Sequence, residues 1–302
     1  MKQLKLGILG ISEGNGHPYS WSAIFNGYNS KYMKDCPFPV IPQYLAQQNF
    51  PQDTIPNAKV THIWTQDKKQ AEHIAKSCNI KYIVENYEDM IGKIDGILLA
   101  RDDYENHYEI SKPFINAGLP IYIDKPLAIK TNIANQMFNL EKYKNQIFTC
   151  SAIAYAKEFA LTKNEIDKLG NIKYVDACIM KDWEKYGIHI IEPVLKIIGD
   201  QGQIQKTNII QNNSIKKVSI SWESGLITSF TTLGKIPSPI SIRLFGTNEY
   251  KNLIFKDTFF AFKKALQTFV NIILKKENPP SKNFTLQVID IIEKGCKNSL
   301  PI

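Results

Sequence analysis

The sequence predicts an α/β fold: an N-terminal doubly wound parallel sheet followed by a C-terminal α+β domain with a mainly antiparallel, open sheet. Three observations predict it. Short apolar runs alternate with helical stretches over residues 4–123, the rhythm of strands buried on both faces. From about residue 204 onward, alternating segments separated by Gly, Asn and Pro turns take over, the rhythm of an antiparallel sheet. The length of 302 residues, with 43% hydrophobic and 22% charged, suits two cores and argues against disorder. The expected division is 1–124 and 125–302, with an insertion at about 31–57.

Leu4 to Gly10 is a short apolar run ending in glycine, a buried strand leading into a tight turn. Pro18 suits the first turn of a helix running through Trp21, Ile24 and Phe25. Pro37, Pro39, Pro42, Pro51 and Pro56 then break the rhythm, so residues 31–57 read as an insertion of turns and short helical pieces, the kind that often forms a lid or an interface. Val60 to Trp64 resumes as a strand, Lys68 to Ser77 as an amphipathic helix and Tyr82 to Val84 as a short strand. Asn86 and Asp89 cap a brief helix, Ile94 to Ala100 is an apolar strand, Tyr104 to Ala117 a helix ended by Gly118, and Leu119 to Ile123 closes the series. Two more helices and a strand near 148–152 lead to strands near 172–180 and a helix from Tyr186 to Ile198. Strands near 204–210, 217–222, 226–232 and 240–245 follow, and helices over 259–275 and 286–297 finish the chain.

The formal charge of +8 raises nucleic acid or an anionic membrane as a partner, and the composition argues against both. Only Arg101 and Arg243 are arginine among 37 basic residues, and the lysines are scattered. The guanidinium forks that dominate phosphate and base-edge recognition are therefore missing. A modest positive potential still favours acidic or phosphorylated small substrates. No apolar run reaches about 18 residues, and the Met1-Lys2-Gln3-Leu4-Lys5 start leads to no small-residue cleavage site, so the expectation is a soluble, cytoplasmic protein. Five cysteines without C-x-x-C spacing read as reduced thiols, and five dispersed histidines give no metal site.

A ligand of such a parallel sheet lies outside the carboxyl ends of its strands, so the residues there are the candidates. After the first strand, Gly10-Ile11-Ser12-Glu13-Gly14-Asn15-Gly16-His17 stands where a dinucleotide-binding turn reads G-x-G-x-x-G. Ser12 and Asn15 replace its second and third glycines, while Gly14 and Gly16 offer backbone freedom at shifted places. Gly10, Ser12, Gly14 and Asn15 are thus cofactor candidates if the amides cradle a pyrophosphate, and otherwise form a structural turn. His17 lies just beyond, close to where nicotinamide or substrate would lie. The second strand should end in an acid that binds the ribose of NAD. Thr65 and Gln66 stand there instead, with Lys68 and Lys69 able to admit a 2′-phosphate, so NAD and NADP both stay open. Asp67 reads as a helix cap. Ala100 and Arg101 end the fourth strand as further cofactor contacts, with an ion pair from Arg101 to Asp102 or Asp103 as the alternative.

The sharpest motif is Tyr122-Ile123-Asp124-Lys125-Pro126-Leu127-Ala128, directly after the fifth strand. With the preceding series it resembles the Gfo/Idh/MocA family, named for glucose-fructose oxidoreductase and inositol dehydrogenase, whose E-K-P motif corresponds to Asp124-Lys125-Pro126. Gln70-Ala71-Glu72-His73-Ile74-Ala75, Tyr87-Glu88-Asp89-Met90 before Ile94-Asp95-Gly96, Ala117-Gly118-Leu119-Pro120, Phe269 and Pro279 add to the likeness, which covers nearly the whole chain. The resemblance implies a Rossmann-type first domain and an oxidoreductase that uses NAD or NADP on a hydroxyl or keto group of a sugar, cyclitol or nucleotide-linked sugar. It places Lys125 at the nicotinamide and substrate, moving the alcohol proton, with Asp124 at the cofactor. A partly enclosed lysine suits that task, because burial destabilises an ammonium and frees its proton.

The family's D-x-G-x-H-x-x-D pattern corresponds to Lys185-Tyr186-Gly187-Ile188-His189-Ile190-Ile191-Glu192. By the resemblance His189 is the second catalytic residue, and Lys185 and Tyr186 join it at the substrate. Lys185 reverses the family's charge, which suits a substrate carboxylate or phosphate and removes the expected partner of the histidine. An alternative from another class is a non-catalytic dinucleotide- or sugar-binding regulator or partner subunit that keeps the fold, motivated by Ser12, Thr65 and Lys185. The resemblance also implies a homodimer or homotetramer through the open sheet.

Overall fold

The computed structural model describes residues 3–297. Met1 and Lys2, with which the expectation of a cytoplasmic start begins, lie outside the described residues. The chain forms two compact units, one of residues 3–128, 132–150 and 262–282, the other of 129–131, 151–261 and 283–297.

In the first unit the sequence reads β1 (Leu4–Leu9), α1 (His17–Asn26), α2 (Ser30–Met33), α3 (Val40–Leu45), β2 (Ala58–Trp64), α4 (Lys68–Ser77), β3 (Tyr82–Ile83), β4 (Gly96–Leu99), α5 (His107–Asn116), β5 (Ile121–Ile123), α6 (Thr131–Asn139) and β6 (Ile147–Thr149). The six strands are all parallel, in the order β3-β2-β1-β4-β5-β6. That order reverses between β1 and β4, the place where a doubly wound sheet opens a crevice for a ligand. β4 and the Leu6–Leu9 part of β1 are buried throughout, as their apolar runs require. The β1–α1 turn is tight enough that a Cβ on Gly10 would collide with the Pro18 ring, so this position excludes any larger residue.

The core of this unit is aromatic. Trp21 of α1 stacks on Tyr122 of β5 at 4.7 Å, Tyr122 meets Phe148 of β6 at 4.7 Å, and Phe148 lies parallel to Phe269 at 6.2 Å. Each such ring buries roughly 150–250 Å², worth about 4–6 kcal/mol of transfer free energy before entropy is charged. These contacts explain a difference from the sequence expectation. Residues 147–149 and 262–282 join the first unit, whose expected end was residue 124, because β6 pairs with β5 and Phe269 packs on both. The insertion at about 31–57 packs down as well: Met33, Ile41, Leu45 and Ile55 are buried, and the Tyr44 hydroxyl donates to Ser20 of α1.

The second unit adds α7 (Lys163–Leu169), β7 (Ile172–Ile179), α8 (Trp183–Tyr186), α9 (Ile188–Ile198), β8 (Ile204–Asn212), β9 (Ile215–Trp222), β10 (Ile227–Thr232), β11 (Ser241–Gly246) and β12 (Tyr250–Ile254). Helix α10 (Thr258–Ile273) supplies residues to both units, and α11 (Lys282–Cys296) closes the chain. Thr162 and Glu165 form a reciprocal cap on α7. The sheet order is β12-β11-β7-β10-β9-β8, antiparallel except that β10 runs parallel to β7. The alternation in β7 puts Val175, Ala177 and Ile179 on the core side, against Ile190, Ile191 and Val194 of α9. The helix expected over 186–198 is two helices, α8 and α9, with Gly187 between them. Among the described residues no helix is long and apolar enough to cross a membrane.

Candidate active site

The carboxyl ends of β1, β2, β4 and β5 bring most of the expected cofactor residues together. Gln66, after β2, bonds the loop after β1 through both of its amide atoms: Ile11 N–H donates to its Oε1 at 3.1 Å, and its Nε2 donates to the Ile11 carbonyl. Arg101 Nη1 donates to the same Oε1 at 3.0 Å, so one side chain joins three strand ends. The guanidinium is otherwise turned onto Asp103, with Nε at 2.9 Å and Nη2 at 2.5 Å, the local ion pair that sequence left as an alternative. Burial raises the Asp103 carboxyl, but bonds from Arg101 and Asn106 outweigh it and hold the group below its ordinary range. Thr65 Oγ1 donates to the Asp67 carbonyl at 2.5 Å, and Asp67 caps α4 through Lys69 N–H, as expected. Buried His107 spans the carbonyls of Arg101 at 2.9 Å and Leu127 at 3.2 Å, tying the segment after β4 to that after β5.

Ser12 and Asn15, which replace two glycines of the expected turn, each hold a carboxylate from a neighbouring strand end. Ser12 Oγ donates to Asp102 Oδ1 at 2.7 Å and accepts from Asp102 N–H at 3.1 Å. Asn15 Nδ2 donates to Asp124 Oδ2 at 2.9 Å, while its carbonyl oxygen accepts His17 N–H at 2.8 Å. Asp102 in turn faces Lys125: Oδ2 and Nζ are 3.5 Å apart, and Lys125 is only 4% exposed. Asp124 Oδ1 accepts Lys125 N–H at 2.8 Å, and Oδ2 also takes His17 Nδ1 at 2.7 Å. Burial alone would raise the Asp124 carboxyl, but the charges of His17 and Lys125 and the bonds it accepts carry it down to about 2. It is therefore an anion at neutral pH. Sequence marked Asp124 and Lys125 by their motif; the pairing of Lys125 with Asp102 had no local signal.

The second unit builds a separate cluster. His189, in the first turn of α9, has Nδ1 2.7 Å from Ser151 Oγ, and its ring lies 5.7 Å from that of Tyr186. Ser151 N–H donates to Glu192 Oε2 at 2.6 Å. Glu192 Oε1 is buried without a partner among the described residues. Burial pushes this carboxyl up to about 7, against the opposing effects of the Ser151 N–H and the Lys196 charge. Lys181 Nζ donates to Tyr186 OH at 2.8 Å, and Lys185 N–H bonds the carboxylate of Asp182, which caps α8. Ser151 was not marked in sequence: a serine after an apolar strand is too ordinary to stand out. Among the described residues no group of three or more His, Cys, Asp or Glu side chains is placed to hold a metal ion.

A dinucleotide needs a turn that its phosphates can approach and a partner for its ribose. The turn fits: Gly10 admits α1 closely, and Gly14, at φ +76°, has no atom within 4 Å of where a Cβ would stand. At the end of β2 the side chains of Thr65 and Gln66 take the place of a carboxylate. A parallel sheet in this order, with a glycine turn after β1 and a buried lysine after β5, defines a Rossmann-type α/β protein joined to a second domain with a mixed, mostly antiparallel sheet.

Residues 43–151 match the family model described as the oxidoreductase family, Gfo/Idh/MocA, with an NAD-binding Rossmann fold. The match spans 109 of the 302 residues and makes this part of the chain similar to that family. The segment holds Asp102, Asp124 and Lys125, while the turn at 10–16 lies before it. No curated protein matches the sequence. Among solved structures, myo-inositol 2-dehydrogenase from Lactobacillus plantarum aligns with a TM-score of 0.73 at 16% identity, covering 97% of this chain and 96% of that one. Apo scyllo-inositol dehydrogenase from Lactobacillus casei aligns at 0.72 and 14% identity, covering 96% and 94%. Levoglucosan dehydrogenase, solved with NADH and levoglucosan, aligns at 0.70 and 14%, covering 97% and 95%. At such identities these likenesses carry the fold.

Proposed function

We propose that the protein is an NAD(P)-dependent oxidoreductase acting on a hydroxyl or keto group of a sugar, cyclitol or nucleotide-linked sugar, with Lys125 and His189 handling the proton. The observation that carries this reading is Lys125 itself: a buried ammonium at the carboxyl edge of the Rossmann sheet, anchored on Asp102, within the segment that matches the oxidoreductase family. Two inositol dehydrogenases and a levoglucosan dehydrogenase holding NADH share the fold, which supports both the substrate class and the cofactor.

Gly10, Ser12, Gly14 and Asn15 would hold the phosphates, Thr65 and Gln66 the ribose, and Ala100, Arg101 and Asp124 the remaining edge of the cofactor. Bound nicotinamide supplies or accepts hydride. Lys125 orients the substrate oxygen and donates its proton in the reducing direction, and a fixed donor of this kind contributes about 10²–10⁴ in rate. His189 is held by Ser151, and Lys185 and Tyr186 favour an acidic or phosphorylated substrate. The protein assembles as a homodimer or homotetramer, which light scattering tests directly.

Titration with NADH and NADPH, followed by nicotinamide fluorescence and then by a panel of sugars, sugar phosphates and nucleotide sugars, tests the reading. Turnover is expected, and Lys125→Ala should keep dinucleotide affinity while losing about 10²-fold or more in kcat. Unchanged kcat in that variant refutes the assignment. The second reading is a non-catalytic dinucleotide- or sugar-binding protein that keeps the fold, favoured by Ser12 and Thr65, whose hydroxyls are bonded to Asp102 and the Asp67 carbonyl. Dinucleotide binding without redox change on any panel member would decide for it.

A further inference from the structure

His17 is built as a histidine base, a role that neither the family motif nor the position of Lys125 assigns to it. Its ring is fixed on three sides: stacked on Trp21 at 5.0 Å and 12°, edge-on to Phe262 at 5.1 Å, and bonded through Nδ1 to Asp124 Oδ2 at 2.7 Å. Asp124 is buried, accepts from Asn15 and Lys125 N–H as well, and is an anion at neutral pH. A carboxylate can only accept, so in a neutral imidazole the proton sits on Nδ1. Nε2 then carries the lone pair of the neutral ring. It takes no partner among the described residues, and the side chain keeps 18% exposure. Lys125, by contrast, is almost wholly buried against Asp102. Of the two, the imidazole is the more open to solvent, at 18% side-chain exposure against 6%.

We propose that His17, oriented by Asp124, is a third proton-handling residue, whose Nε2 accepts the proton of a bound alcohol beside Lys125. The O–H bond breaks, its electron pair stays on the oxygen, and its proton forms the Nε2–H bond of an imidazolium whose charge Asp124 balances. One proton moves and no electrons are exchanged with the ring. The Lys125 ammonium, tied to the same carboxylate through its backbone N–H, stabilises the alkoxide left behind. The inference rests on the oxidoreductase reading.

The test has a spectroscopic and a kinetic arm. In protein labelled with 15N-histidine, neutral His17 should carry its proton on Nδ1, and Asp124→Asn should shift that resonance. His17→Ala should lower kcat by about 10²–10⁴-fold, and added imidazole should restore rate in proportion to its free base, which a packing role would not do. Assignment of the neutral proton to Nε2, kcat within about threefold of wild type, or a loss that imidazole leaves untouched would each overturn the base. In that event wild-type turnover leaves the oxidoreductase reading standing, whereas absence of turnover in the wild-type protein removes that reading and the base together.

Discussion

Replacing Glu192 by Gln should stabilise the protein at neutral and alkaline pH and change little near pH 4.5. Glu192 is 3% exposed, with one carboxyl oxygen on Ser151 N–H and the other unpartnered among the described residues, and burial lifts it from 4.5 to about 7. The folded state therefore keeps a proton that the unfolded chain gives up between those values. Stability from this group is full below pH 4.5, falls as pH rises towards 7, and is level beyond. The gap corresponds to roughly 3 kcal/mol at about 1.4 kcal/mol per pH unit, an upper bound because the unfolded chain is not fully hydrated. Glutamine keeps an oxygen for Ser151 N–H and carries no charge, so its advantage over wild type should grow from near zero to about 2–3 kcal/mol across that window. Urea unfolding of both proteins at a series of pH values, followed by the fluorescence of Trp183 and Trp222 in the second unit, measures the difference. A gap that stays flat from pH 5 to pH 8 would refute the assignment of a destabilised buried carboxyl. The same titration bears on the site, since Ser151 joins Glu192 to His189.

Two further substitutions probe the frame around the site. Gly10→Ala should destabilise the first unit by about 2 kcal/mol or more, because its Cβ has no space beside Pro18; an unfolding midpoint equal to wild type would show that α1 yields freely. Phe148→Ala should cost about 3–5 kcal/mol by opening the stack between Tyr122 and Phe269, and unfolding of the first unit, read from Trp21, should report it; a cost under about 1 kcal/mol would mean that the stack collapses without loss.

Strands β4 and β5 were legible because a strand buried on both faces must be apolar throughout, and β1, β2 and β3 because the turns and caps around them mark their ends. What sequence does not carry is partnership. Ile147-Phe148-Thr149 is a passable strand anywhere; only pairing with β5 and the distant Phe269 makes it the sixth member of this sheet. Strand β12 escaped for a related reason: Tyr250-Lys251-Asn252-Leu253-Ile254 lies at a sheet edge with one buried residue, so little of it needs to be apolar. Alternation also reveals a strand without its direction, and the parallel pairing of β10 with β7 had no local sign. Asp124, Lys125 and His189 stand out in sequence through compact motifs, but the partners that hold them, Asn15 and His17, Asp102, and Ser151, carried no local sign. Gln66 was legible as a strand-end residue, but not as the amide that bonds Ile11 on both sides.

The two replacements in the glycine turn account for each other through the carboxylates they hold. A glycine turn presents backbone alone, whereas Ser12 and Asn15 reach across to Asp102 and Asp124 and fix the two acids that flank Lys125. Buried charges of this kind contribute little net stability, and removal of one partner leaves the other uncompensated. Their value lies in geometry: Asp102 locates the Lys125 ammonium, and Asp124 fixes both the Lys125 backbone and the His17 imidazole. The turn has thus exchanged part of its role as a backbone cradle for a side-chain network that positions an ammonium and an imidazole at one strand edge. On the proposed reading these are the groups that handle the proton, and the same side chains that replace the glycines hold them in place.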